Sequence, residues 1–129
     1  MVLDHNVVIS AVNFGGGKPR RVLDLALAGE VGLVTSERLL DELGDRLRYR
    51  FGWPSDAWRA LRIEIESAAA LVEPARIAPV CRDPDDDLVL ATAVEGRARW
   101  IMSGDKDLLV IGSYCGIEIL DPARFLELL

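Results

Sequence analysis

Histidine is almost missing from this chain of 129 residues: His5 is the only one. No histidine metal site can be built from it, and a Ser–His–Asp hydrolase would have to be centred on this single residue. Cysteine is nearly as scarce. Cys81 and Cys115 are too few for a disulfide framework or a thiolate metal site, and both lie near apolar residues, so they are expected as buried small hydrophobes. No apolar run approaches the ~20 residues that cross a bilayer. Met1-Val2-Leu3-Asp4 has no positive region and places an acid where a signal peptide would be apolar, so a cytoplasmic protein is expected. Positive charge is also in deficit. Fifteen Lys and Arg face 21 Asp and Glu, for a net charge of −6. That opposes long-range attraction to nucleic acid, unless several acids share a cation that cancels part of their charge.

What remains is an apolar half and a regular alternation of elements. Hydrophobic residues make up 50% of the chain, enough for one core, and the length suits one domain over residues 1–129. Strands are predicted at 2–4, 31–35, 99–103 and 116–120. Helices are predicted at 20–28, after the N-cap Ser36, from Ser55 to about residue 71, and after the cap-plus-proline pairs Asp83-Pro84 and Asp121-Pro122, with a short turn at 108–110. Residues 6–12 fit helix or strand equally, 15–19 read as a loop and 72–80 as extended. Short apolar strands separated by helices predict an α/β fold, with a mainly parallel sheet covered on both faces.

In such sheets ligands bind beyond the carboxyl ends of the strands. Asp4 ends the first strand, and Asp105 follows the strand 99–103 after one glycine. Asp86 lies in a helix first turn, and Glu42 flanks the stripe of Leu39, Leu40, Leu43 and Leu47. Three have a plain alternative: Asp86 and Asp105 as capping or turn acids, Glu42 as a solvated helix acid; Asp4, a carboxylate that ends an apolar strand, is unusual without a partner. Brought together, the acids would repel until one took up a proton or a cation arrived. Mg²⁺ or Mn²⁺, hard ions that prefer oxygen ligands, would meet that need and suit phosphodiester hydrolysis.

The run VLDHNVVISA at residues 2–11 resembles the opening of PIN domains. SERLLDEL at 36–43 resembles the helix that carries their glutamate, here Glu42. RDPDDDLVLATA at 82–93 resembles their third motif, with the acid at Asp86 and Asp87 its rival. SGDKDL at 103–108 resembles the fourth, with the acid at Asp105. The resemblance implies a three-layer α/β/α sandwich and a Mg²⁺- or Mn²⁺-dependent endoribonuclease with Asp4, Glu42, Asp86 and Asp105 as catalytic residues. Asp4, Asp86 and Asp105 would be the metal ligands. It implies that Asn6 and Ser10 help to order the first acid, and that Asp107 is an extra acid near the metal. The likeness is nearest to VapC-like toxins of toxin–antitoxin pairs, which implies a homodimer and a small antitoxin partner. In one place the chain departs from the family pattern: His5 stands where threonine is usual, and a packing or supporting role is expected for it.

Lys18, Arg20 and Arg21 after the glycine loop, and Arg46, Arg48 and Arg50 around Tyr49 and Phe51, are candidates to hold RNA phosphates. Trp53 and Trp58 are expected in the core. Two other functions compete. A haloacid-dehalogenase-like phosphatase would use Asp4 as nucleophile, Thr35 or Ser36 for phosphate and Lys106 for charge, but Asn6 stands where its general acid belongs. A catalytically silent binding module of PIN shape is favoured only by His5.

Overall fold

Alternation within the strands decides the architecture. The computed structural model describes residues 1–129. In β1 (Val2–Leu3), Val2 points into one core and Leu3 packs against the other; in β2 (Leu33–Thr35), Leu33 and Val34 divide the same way. One face is covered by α1 (His5–Phe14), α2 (Lys18–Leu27), α3 (Glu37–Asp45), α4 (Ser55–Ala68) and a C-terminal helix that contributes Phe125. The other is covered by α5 (Pro84–Glu95) and a short helix that contributes Leu108. This is the three-layer α/β/α sandwich with a mainly parallel central sheet.

Strand β3 (Ala69–Leu71) pairs in parallel with β2, and β4 (Trp100–Met102) pairs in parallel with β1. The short helix is α6 (Lys106–Ile111). After it, β5 (Ser113–Tyr114) turns back antiparallel onto β6 (Ile117–Leu120), which runs parallel to β4. The terminal helix is α7 (Pro122–Glu127). Val34 N–H donates to the Met1 carbonyl at 2.8 Å, so the β2–β3 pair is bonded to the edge of the β1–β4–β6–β5 sheet.

Residues 6–12, open to two readings in sequence, are helical. The predicted loop at 15–19 is shorter than expected, because Pro19 sits in the first turn of α2. The helix expected to reach residue 71 stops at Ala68, and Ala69–Leu71 form a strand. Alanine has little strand preference, and pairing with Leu33–Thr35 overrides it. The hairpin of β5 and β6 was not expected either. Cys115 and Gly116, at φ 51° and 79°, take the two left-handed positions of its turn. That turn corrects the expectation for the cysteines: Cys115 is exposed and Cys81 only half-buried. Beyond Asp45 the chain widens into a π-helical turn, Arg46–Arg50, that keeps Leu47 buried and turns Arg48, Tyr49 and Arg50 outward. No helix is long and apolar enough to cross a membrane.

Candidate metal and nuclease site

Register places the first acid. Leu3 pairs with Met102, so the next residues along the two strands, Asp4 and Ser103, emerge side by side. The Asp4 amide donates to the Met102 carbonyl at 2.9 Å. Ser103 Oγ donates to Asp4 Oδ2 at 2.8 Å and accepts the Asp105 amide at 3.0 Å. Asp4 is 2% exposed and Ser103 fully buried, so this hydroxyl ties two strand-end acids together out of water.

The third acid comes from α5. Every residue from Asp86 to Ala93 is buried, as in a helix apolar on all sides. Its N-terminus therefore carries Asp86 and Asp87 inward. Their environments differ. Asp87 Oδ1 accepts the amides of Val80 at 3.0 Å and Cys81 at 2.6 Å, and so fastens the preceding loop. Asp86 Oδ2 is buried without a hydrogen-bond partner. Carboxylate oxygens of Asp86, Asp105 and Asp107 lie within 4.8 Å of one another. Burial first, then the charges of Asp105 and Asp4, push the Asp86 carboxyl up to about 6. The rival Asp87 is therefore a loop anchor, and Asp86 faces the other acids.

Glu42 enters from α3, held by the Ser36 cap: Ser36 Oγ accepts the Leu39 amide at 3.2 Å. Its side chain is about one-third exposed and its Oε2 lies 3.5 Å from His5 Nε2. Burial and the charge of Asp85 raise the Glu42 pKa, against opposing effects of His5 and Arg46. His5 Nδ1 lies 3.1 Å from Asp4 Oδ1. Burial lowers the His5 pKa, but the hydrogen bond and charge of Asp4 outweigh it, and the net shift is upward.

Several supporting residues differ from expectation. Asn6 is exposed and Ser10 half-buried, and neither bonds Asp4; both line a surface recess beside Gly104. The residues that order Asp4 are Ser103 and His5. Asp107, by contrast, lies with Asp86 and Asp105 as an extra acid of the group, and it also meets Arg82 at 3.0 Å. Arg46 turns inward, pairs with Asp85 at 3.0 Å and approaches His5, so its charge is not free for a phosphate. Arg20 pairs with Asp24 at 3.1 Å. Lys18, Arg21, Arg48 and Arg50 are exposed, and Arg48 lies over the Tyr49 ring at 5.3 Å. Ser103 stands in the SGDKDL run with no role expected for it. Its signal was a hydroxyl at the strand end, one residue before Gly104-Asp105. Asp85 carried no signal among four neighbouring acids.

A family model described as PIN domain matches residues 1–107. The chain belongs to the PIN-domain family. PIN domains are in general metal-dependent nucleases, and the acidic group at the strand ends is compatible with that chemistry. An uncharacterized protein of Methanocaldococcus jannaschii is 33% identical over 114 residues, which span 84% of this chain and 72% of that protein. The phosphatase alternative has no phosphate donor in Ser36, which is fully buried, caps α3 and lies 3.4 Å from Thr92 Oγ1.

The acids fit a divalent cation. All donors are carboxylate oxygens, the set preferred by hard cations, and the buried Asp86 oxygen lacks any other partner.

Proposed function

We propose that this PIN domain, one domain over residues 1–129, is an endoribonuclease that uses Mg²⁺ or Mn²⁺ at the edge formed by Asp4, Asp86 and Asp105. The observation that carries the reading is the unpartnered, buried oxygen of Asp86 beside two more carboxylates. A buried carboxyl with no donor is costly, and three acids this close repel unless a proton or cation sits among them.

Asp86 and Asp105 would hold the cation, with Asp107 beside them and Asp4 completing the oxygen set from the end of β1. When bound, such a cation supplies a more acidic water at neutral pH and counter-charge for the scissile phosphate. The protein's own residues do the rest. Ser103 keeps Asp4 and Asp105 in register. Glu42, its proton affinity raised by burial, is suited to accept a proton during the reaction. Lys18, Arg21, Arg48 and Arg50 are free to meet backbone phosphates, and Tyr49 offers a stacking face. Attack by water leaves a 5′-phosphate and a 3′-hydroxyl.

The physiological role we propose, on the motif likeness to VapC-like proteins, is that of a cytoplasmic toxin. It would act as a homodimer silenced by a small antitoxin. Growth arrest on induction, lost with Asp4→Asn, tests that role.

The nuclease reading is tested with RNA in vitro. Millimolar Mn²⁺ raises the melting temperature and supports cleavage, EDTA abolishes cleavage, and Asp4→Asn is inactive yet folded. At 100 times its dissociation constant a cation stabilises the folded state by about 2.7 kcal/mol, an easily measured shift. Cleavage that persists in EDTA removes the metal from the reaction.

A further inference from the structure

Two buried polar atoms face each other with no good hydrogen bond to anything: Nε2 of His5 and Oε2 of Glu42, 3.5 Å apart. The other ring nitrogen, Nδ1, lies 3.1 Å from Asp4 Oδ1, and the residue is only 5% exposed. An ionised carboxylate only accepts, so attraction at that distance requires a proton on Nδ1. Arg46 Nη1 lies 3.4 Å from the same nitrogen, but a guanidinium only donates. Were Nδ1 to accept from Arg46, its lone pair would face the Asp4 carboxylate at the shorter distance. Arg46 is in any case engaged by Asp85 through Nη2 at 3.0 Å. With Nδ1–H directed at Asp4, Nε2 and Glu42 attract only if a proton lies between them, on either atom.

We propose that His5 is a positioning residue whose imidazole bridges Asp4, at the end of β1, and Glu42, on α3, so that one ring orients two acids of the site. A threonine, usual here in the family, has one hydroxyl proton and can donate to only one carboxylate. The imidazole has nitrogens on opposite edges and spans both. The bridge itself follows from the distances; its effect on metal binding rests on the nuclease reading above. Polar groups that orient metal-ligating side chains typically change affinity or activity ~10- to 100-fold when removed.

The chain has a single histidine, so ring-nitrogen NMR of the metal-free protein reports His5 without ambiguity. The expected spectrum has Nδ1 protonated and slow to exchange. In Glu42→Gln the Nε2 resonance moves while Nδ1 stays protonated. An unprotonated Nδ1, or an Nε2 resonance indifferent to Glu42→Gln, overturns the bridge. Mn²⁺ affinity gives the second readout. His5→Ala is expected to bind at least ~10-fold more weakly. His5→Asn, whose amide nitrogen stands near the place of Nδ1, recovers most of that loss. Equal affinities of the Ala and Asn variants count against the Asp4 arm of the bridge, and the Glu42→Gln spectrum decides the other arm. If His5→Ala does not fold, the Glu42→Gln spectrum still decides. Wild-type protein that fails to bind Mn²⁺ yet shows the expected spectrum keeps the bridge and sinks the nuclease reading.

Discussion

Ser103 has one proton to donate and lone pairs to accept with, and its neighbours use both: the proton goes to Asp4 and a lone pair receives the Asp105 amide. Ser103→Ala leaves an oxygen of the buried Asp4 carboxylate without its donor, which costs about 1–3 kcal/mol. Urea denaturation should show that loss, and an unchanged midpoint would mean that Asp4 finds another donor. Asp86 should behave in the opposite sense. Its carboxyl titrates near 6 in the folded protein against an ordinary 3.8. Between those values the folded state holds more protons than the unfolded one, so stability falls as pH rises through the window and the protonated form's advantage is gone above it. In EDTA, Asp86→Asn should therefore raise the melting temperature more at about pH 7 than at about pH 4.5. Equal shifts at the two pH values would contradict the repulsion. His5, whose pKa is raised, loses its contribution at higher pH, above its unfolded 6.5, so the two effects separate. The strand-end positions of Asp4 and Asp105 were legible in sequence. The distinct roles of Asp86 and Asp87 were not, because adjacent acids in one helical turn differ only in what packs beside them.

The elements carry the acids by ordinary packing. Helix α3 can bring Glu42 to the site because Gly44 lets α4 approach. A Cβ at residue 44 would stand 2.5 Å from the Trp58 indole. Alanine gains up to about 1 kcal/mol in helix propensity over glycine. Overpacking a filled core costs about 1–3 kcal/mol, so Gly44→Ala should lower stability on balance, with a lower urea midpoint as the check. Gly96 is similarly constrained by Val34 across the other face. Capping signals at this scale held at three helices, where Ser36, Asp83 and Asp121 each accept an amide in the first turn, and failed at Ser55, which lies inside α4 after Pro54 and makes no cap bond. Strand β3 is not legible in the sequence because Ala69-Ala70-Leu71 continues a helical composition, and only its neighbour β2 makes it a strand.

Across the whole molecule, net charge −6 coexists with an exposed basic group after α3, and a cation among the acids would reduce the conflict. Arg48→Ala should weaken RNA binding and lower the slope of log affinity against log salt by about 0.7, the value for one single-strand phosphate contact. An unchanged slope would place Arg48 outside the RNA path. Arg46→Ala belongs to another class, since its charge is spent on Asp85. The primary structure alone determined the alternation of strand and helix, the sandwich it requires, the family motifs and the acids at strand ends. These depend on local propensity and on apolar spacing, which are written along the chain. Only the tertiary structure decided that Ser103 joins Asp4 to Asp105, that His5 lies between Asp4 and Glu42, that Asp87 anchors a loop and that Arg46 turns inward. Those contacts join side chains from separate elements or sort neighbours within one turn, and their geometry follows from sheet register and helix packing, which no local pattern encodes.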